Sequence, residues 1–316
     1  MRILWNDGWK FALLPLNSTR RDLDGAALRP VLLPHDWLIE NTEDLYASGD
    51  GWYLKTFLAE ELPQEEIALL DFDGVYMDAD VLLNGELIRS HTYGYTSFFA
   101  DLTGKIRPGR NEIAVHIRHR SPNSRWYSGA GIFRDVHLIA LPARYMVPDG
   151  FQVNTRRAGG AWQLAIQAEI RGPGDEMPRV RLQNSVGGVL AEGTMAACPG
   201  GAEICLTVEG VTPWSVERPC LYSLTCTLGA QKETMRVGFR ETAFTPDKGF
   251  FLNGAPVKRT ASACIMTWAP SARHISKAPQ GGSLPLCAKW ASTPSAPAII
   301  PRPGVSWTCA TKWASW

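Results

Sequence analysis

The strongest constraint on this chain is a rhythm of short apolar runs, each closed by turn residues, that continues to about residue 258 without one long amphipathic helix. In the first part the runs are EIALLDFDGV (66–75), DADVLLNGELI (78–88), NEIAVHIRHR (111–120) and FRDVHLIALP (133–142). Asn84-Gly85, between VLL and ELI, supplies the two positive φ values of a tight hairpin turn, and Pro108-Gly109 marks a second reversal. This part reads as an antiparallel sandwich. A new series follows Pro148-Asp149-Gly150: FQVNTR, WQLAIQAEI, RVRLQNS, GGVLAEGTM, EICLTVEG, LYSLTCTLG and ETMRVGFRE. About seven short strands in roughly 95 residues predict an immunoglobulin-like sandwich, with a Pro/Gly turn near residue 145 as the joint between two all-β units.

The rhythm then stops. From Arg259 to Trp316 there is no Asp or Glu, where ordinary usage would supply about 7 acids. The same stretch holds Trp268, Trp290, Trp307, Trp313 and Trp316, five of the twelve tryptophans, and its apolar residues follow neither a period of 2 nor one of 3.6. A solvated linker is poor in aromatic residues, so this composition fits neither a folded domain nor a linker.

Other features narrow the function by exclusion. A formal net charge of +1 with no Lys/Arg-rich run leaves no electrostatic footprint for nucleic acid or an anionic membrane. The opening MRILWNDGWKF has no apolar stretch of signal-peptide length, and no window approaches a membrane span, so the expected location is cytoplasmic. The seven cysteines are an odd number without a C-x-x-C pair and suggest neither a disulfide framework nor a zinc site. No G-x-S-x-G elbow, P-loop or H-E-x-x-H is present, and no cofactor is expected.

Several constellations remain. His116 and His119 stand three apart on a predicted strand and face opposite ways, so they do not form a metal pair. Gly129-Ala-Gly131 leads into a strand rather than a helix, which makes it a turn and not a dinucleotide fingerprint. Asp71 with Asp73, and Asp78 with Asp80, share a face pairwise; such pairs can seat a cation or flank a glycosidic bond, and more often solvate a sheet face or end a strand. Ser124-Arg125-Trp126-Tyr127-Ser128-Gly129 places two rings and a guanidinium in a Gly-bounded loop. Aromatic faces stack on sugar C–H faces and Arg donates to hydroxyls, so Arg125, Trp126 and Tyr127 are candidate substrate-binding residues; core packing of Trp126 and Tyr127 is the competing reading.

At these residues a family resemblance emerges. NDGWKF, LPHDW (33–37), GWYLKTF (51–57), FDGVYMDADVLLNGE (72–86), YGYTSF (93–98) and SRWYSGAGIFRDV (124–136) resemble the sugar-binding domain of glycoside hydrolase family 2, which includes β-galactosidases and β-glucuronidases. PWSVERPCLYSL (213–224) and VGFRE (237–241) resemble its immunoglobulin-like domain, and GFFLNGAPVK (249–258) the strand that leads into its catalytic (β/α)8 barrel. The resemblance implies a jelly-roll-like, galactose-binding-type β-sandwich over 1–145, an immunoglobulin-like sandwich over 146–245, a lead-in segment over 246–258 and a tail of unspecified fold over 259–316. It implies retaining hydrolysis of a β-glycoside by two glutamates of later barrel strands. No position here matches either glutamate. It leaves room for a homo-oligomer in the intact enzyme. In lactose-type and glucuronide-type relatives an Asp reaches the substrate seven residues before the Ile of G-I-F-R; here that position is Arg125, which departs from the pattern. Asp135, beside Arg134, is expected in a structural ion pair or turn contact.

The family pattern after residue 258 reads approximately NGVCMHHDLG, then REMGVNAIRTSHNPP, and the genetic code tests the tail against it. Cys264 to Ser271 can be encoded TGC ATC ATG ACC TGG GCG CCC TCG, which from its third base reads HHDLGAL. In the same frame Lys289 to Ile300 can hide MGVNAIRTSHN, and Trp307 to Trp316 can hide DMCDEMGVL. These codons are chosen from those the protein permits. A frameshift at or just after Lys258 is the expectation, leaving an aggregation-prone, catalytically inactive N-terminal fragment. The alternative is a genuine non-catalytic carbohydrate-binding or interaction protein.

Overall fold

The computed structural model describes residues 1–124 and 127–257. The acid-free tail and the residues Arg125 and Trp126 lie outside them. The chain separates into two compact units, one spanning Met1–Ala140 and the other beginning at Leu141.

The first unit is a sandwich of two antiparallel sheets. Six strands run in the order Arg29–Val31, Trp9–Leu14, Gly49–Leu58, Arg110–His119, Ala79–Leu83 and Glu86–His91. Four run in the order Arg2–Leu4, Val136–Leu141, Ile67–Phe72 and Phe98–Asp101. Alternation sends Val81 and Leu83, and Ile113, Val115 and Ile117, to one core with Leu70, Phe72, Phe98 and Leu138 of the facing sheet. Each such side chain withdrawn from water contributes about 1.5–3 kcal/mol. The hairpin at Asn84-Gly85 forms with φ of 50° and 84°, as its dipeptide requires.

The Gly49–Leu58 strand shows why some strands escape pattern reading: its first seven residues are buried on both faces. Tyr53 enters the main core, while Trp52 and Leu54 enter a second cluster with Leu23, carried by the 3-10 turn Arg20–Gly25 on the outer side of the sheet.

The second unit is an immunoglobulin-like sandwich. One sheet orders Tyr145–Ala158, Ala161–Arg171, Gly201–Val208 and Ala196–Cys198; the other orders Val189–Thr194, Arg179–Gln183, Tyr222–Leu228 and Gln231–Val237. Trp162, Leu164, Ile166, Val180, Leu182, Leu224 and Phe239 fill the space between. A correction concerns Pro148-Asp149-Gly150. The segment is not a turn that joins two units but an irregularity inside the strand Tyr145–Ala158, whose register shifts between Met146 and Phe151, with Asp149 at φ 61°. Gln231 supports the bulge: its amide accepts from the Met146 N–H at 2.7 Å and donates to the Met146 carbonyl at 2.9 Å. A small antiparallel sheet of Thr242–Thr245, Gly249–Leu252 and Ala255–Pro256 follows.

Candidate functional site

The loop that carries the candidate sugar contacts leaves the sheet at His119 and returns at Gly131. Asn123 ties its first limb. Its Nδ2 donates to the Arg120 carbonyl at 2.9 Å and lies 3.1 Å from His119 Nε2, while its Oδ1 accepts from Ser128 Oγ at 3.3 Å and Tyr76 Oη at 3.4 Å. His119 Nδ1 lies 2.9 Å from the Ala47 carbonyl. A carbonyl only accepts and an amide nitrogen only donates, so both contacts are met when the imidazole is neutral with its proton on Nδ1.

Asp36 ties the second limb. Its buried carboxylate accepts from Leu38 N–H at 3.1 Å, which caps the 3-10 turn Trp37–Glu40, from Ala130 N–H at 2.9 Å, and from the Tyr127 hydroxyl. One carboxylate thus joins the LPHDW segment to the loop. Tyr127 is 6% exposed and packs in the main core. It is therefore not an exposed stacking ring; the core reading weighed against it is the one the geometry gives. Arg125 and Trp126, its two fellow candidates, fall outside the described residues.

Backbone approach explains the glycine at the loop's exit. Gly131 pairs with Tyr76 through two 2.9 Å backbone hydrogen bonds and has φ 129°. A Cβ there would collide with the His35 carbonyl oxygen and the Tyr53 hydroxyl, so only glycine fits. His35 lies beneath, with Nδ1 2.6 Å from Tyr53 Oη and Nε2 3.0 Å from Glu40 Oε1. Burial holds the His35 pKa below its ordinary value, with the Glu40 hydrogen bond acting in the opposite direction.

The carboxylate pairs are each taken up by one arginine. Arg2 reaches Asp71 at 2.7 Å and Asp73 at 3.4 Å; Arg118 reaches Asp78 at 3.0 Å and Asp80 at 2.6 Å. The cation these pairs seat is a guanidinium. Asp71, Asp73 and His137 lie close enough for a common ion, but Arg2 already sits among them, 3.3 Å from His137 Nδ1. His116 stacks on Trp52 at 4.1 Å, with Nε2 3.2 Å from Asp50, and faces away from His119, as the strand spacing predicts. Burial raises the Asp50 pKa, but hydrogen bonds from Arg120 and His116 outweigh it and hold the carboxyl below its usual range. Arg134 donates to the carbonyls of Asp73 and Tyr95 at 3.1 and 3.2 Å, and Asp135 accepts from Asn6 at 2.8 Å.

From sequence, Asp36 stands only inside a motif, His119 is weighed only as half of a rejected metal pair, and Asn123 is passed over. A sequence signal exists for Asp36 alone, an N-cap type residue before an apolar turn. Its loop partners are 91 and 94 residues away, beyond any local pattern.

Two β-sandwiches in series, the first holding a loop anchored on both limbs, define an all-β two-domain module. Residues 34–142 match the family model described as "Glycosyl hydrolases family 2, sugar binding domain". A putative β-glucuronidase of Formosa agariphila is 30% identical over 275 residues, covering 80% of this chain and 26% of its own length. A β-galactosidase of Bacteroides ovatus is 31% identical over 282 residues, covering 80% of this chain and 33% of its own. The crystal structure of a β-glycosidase from Bacteroides vulgatus superposes with a TM-score of 0.71 at 26% identity, covering 84% of this chain and 37% of that one. The chain belongs to glycosyl hydrolase family 2. It spans between a quarter and a third of the length of these two curated relatives. Among the described residues no helix is long and apolar enough to cross a membrane.

Proposed function

We propose that this chain is the N-terminal part of a β-galactosidase-like retaining glycosidase whose reading frame is lost just past Lys258, and that the chain as written does not hydrolyse glycosides. The observation that carries the reading is the loss of every acid past residue 258. Five relatives each match 80% of the chain, and the share left over is close to that of the acid-free stretch. Retaining hydrolysis needs one carboxyl as acid and a second as nucleophile about 5 Å away. A stretch without Asp or Glu supplies neither. In the intact enzyme the substrate is a β-glycoside. Arg125 and Trp126 meet it from the loop between Ser124 and Tyr127, and Tyr127 positions that loop from below through Asp36. Cys198, Cys205, Cys220 and Cys226 are free thiols, which suits a cytoplasmic protein. Leu32 and Tyr93, 65% and 61% exposed, fit surfaces that lack their usual cover, so the fragment self-associates.

Sequencing the source DNA across codons 250–316 and several hundred beyond, with nitrophenyl β-galactoside and β-glucuronide assays of both products, tests the reading. A shifted frame that continues through a barrel with two glutamates, active only when the frame is restored, is the expected result. A confirmed frame followed by a stop overturns it and leaves a non-catalytic carbohydrate-binding protein. A sharp monomer peak in size-exclusion chromatography overturns the self-association.

A further inference from the structure

The two outer faces of the second sandwich have different charge. On the sheet of Ala161–Arg171 the outward side chains balance and satisfy one another: Arg171 bonds Glu169 at 2.8 Å, Gln167 bonds Glu203 at 3.0 Å and Arg156 bonds Gln163 at 2.8 Å. On the opposite sheet, antiparallel register brings Arg179 beside Thr227, which in turn neighbours Lys232, Arg181 beside Glu192 and Thr225, and Ser223 beside Arg236. Alternation places all of these outward, away from Val180, Leu182, Leu224 and Cys226 of the core. Four cations meet one acid. Glu192 is held by Arg181 at 3.0 Å, and Arg179, Lys232 and Arg236 have no carboxylate partner among the described residues.

The same face is indented. A groove of about 560 Å3 runs over it, with Arg179, Lys232 and the ion-paired Arg181 and Glu192 on its walls and Gln183, Thr225 and Thr227 between them. This volume lies within the range of small-ligand sites. No aromatic ring lines the groove, so it offers no platform for stacking a neutral sugar or a nucleobase. It offers cations for carboxylate or sulfate oxygens, interspersed with hydroxyl and amide groups that both donate and accept, the complement of a hydroxyl-rich chain bearing anions.

We propose that the groove on the Arg179–Gln183 and Tyr222–Leu228 strands binds an acidic oligosaccharide, one bearing uronate or sulfate groups. All of its lining residues belong to the second unit. Each anion meets an arginine or lysine, and the threonine hydroxyls bond to ring hydroxyls between them. Binding weakens as salt rises, because the contacts are charge-assisted and exposed.

The test is calorimetric titration of the full chain with hexagalacturonate at low ionic strength, with maltohexaose as the neutral control. The doubly substituted variant R179S/K232S is expected to weaken hexagalacturonate binding at least tenfold, while R156S on the opposite face leaves it unchanged; both sets of positions are solvent-facing, so circular dichroism and thermal melting should not move. A sulfated hexasaccharide that binds in place of the uronate, with the same dependence on Arg179 and Lys232, also supports the assignment. Absence of binding by either anionic sugar overturns it. So does equal binding of maltohexaose, insensitivity to R179S/K232S, or a single-stranded oligonucleotide that binds more tightly than the sugars through the same residues.

Discussion

The two units solve the same problem, closing a β-sandwich, with different amounts of buried polarity. Among the described residues, Asn6, Asp36, Asp50, Lys55, Asp71, Asn111, His116, His119, Ser128 and Arg134 are buried in the first unit; in the second, Gln231 is the one buried polar side chain. The difference follows from the connections. The second unit is mostly regular ladder, whose backbone groups satisfy each other. The first carries long irregular stretches, such as those from Leu32 to Ser48 and from Arg120 to Asp135, whose buried backbone N–H and C=O groups need side-chain partners. Asp36 and Asn111 each answer several of these at once, and Asn123 answers one. Buried polarity here marks where the chain holds a shape that strand pairing cannot hold.

The largest test of this contrast is Asp36→Ala, which takes an acceptor from the Tyr127 hydroxyl and from the Leu38 and Ala130 N–H groups. It is expected to destabilise the first unit by about 3 kcal/mol or more, since each buried unsatisfied group costs on the order of 1–3 kcal/mol. Urea unfolding followed by hydrogen exchange of each unit should show the first unit's midpoint fall and the second's stay; a shift in both would break the comparison. Gly131→Ala should cost the first unit about 2–3 kcal/mol, the penalty of a positive φ together with a backbone collision, read by the same experiment. Gln231→Ala should act on the second unit alone. It leaves both polar groups of Met146 without their amide partner and is expected to cost about 1–2 kcal/mol.

Acid should separate the units without any mutation. All five described histidines lie in the first unit. Burial depresses the pKa of His35, His91 and His116 in the folded state. A histidine with a lowered folded pKa binds its proton more readily when unfolded, so its contribution is fully present above the ordinary value of about 6.5 and is lost as pH falls through the folded value. Lowering pH from 7.5 to 5.5 should therefore reduce the melting temperature of the first unit and leave the second nearly unchanged. Asp50 and Asp80, whose carboxyls are held below the usual range, extend the same loss to lower pH. The smallest effect belongs to Arg181→Ala, which breaks an exposed pair with Glu192 and should change stability by less than about 0.5 kcal/mol.

How much of this was legible in the sequence follows the same division. The second unit's strands alternate in burial, as in Ala161–Arg171, and its apolar runs locate them within a few residues. The bulge at Pro148-Asp149-Gly150 looks like a chain reversal because turn residues and bulge residues are the same types. In the first unit the Gly49–Leu58 strand has no period of 2, because both faces are covered, and it stands out only as the motif GWYLKTF. The anchored loop is visible as a motif and its mechanics are not. Tyr127 reads equally as a sugar platform or a core ring until the partner hydroxyl acceptor, some 91 positions earlier, is placed beneath it.

The strut from Asp36 through Tyr127 and Ala130, with Asn123 on the other limb, ties both limbs of the loop to distant parts of the first unit. The anchoring residues lie up to 94 positions apart in the chain, so the loop's shape is inherited from the scaffold and not from its own local sequence. Such a loop is an evolutionary socket: its fitting is set by the scaffold, and what is plugged into it is open to selection.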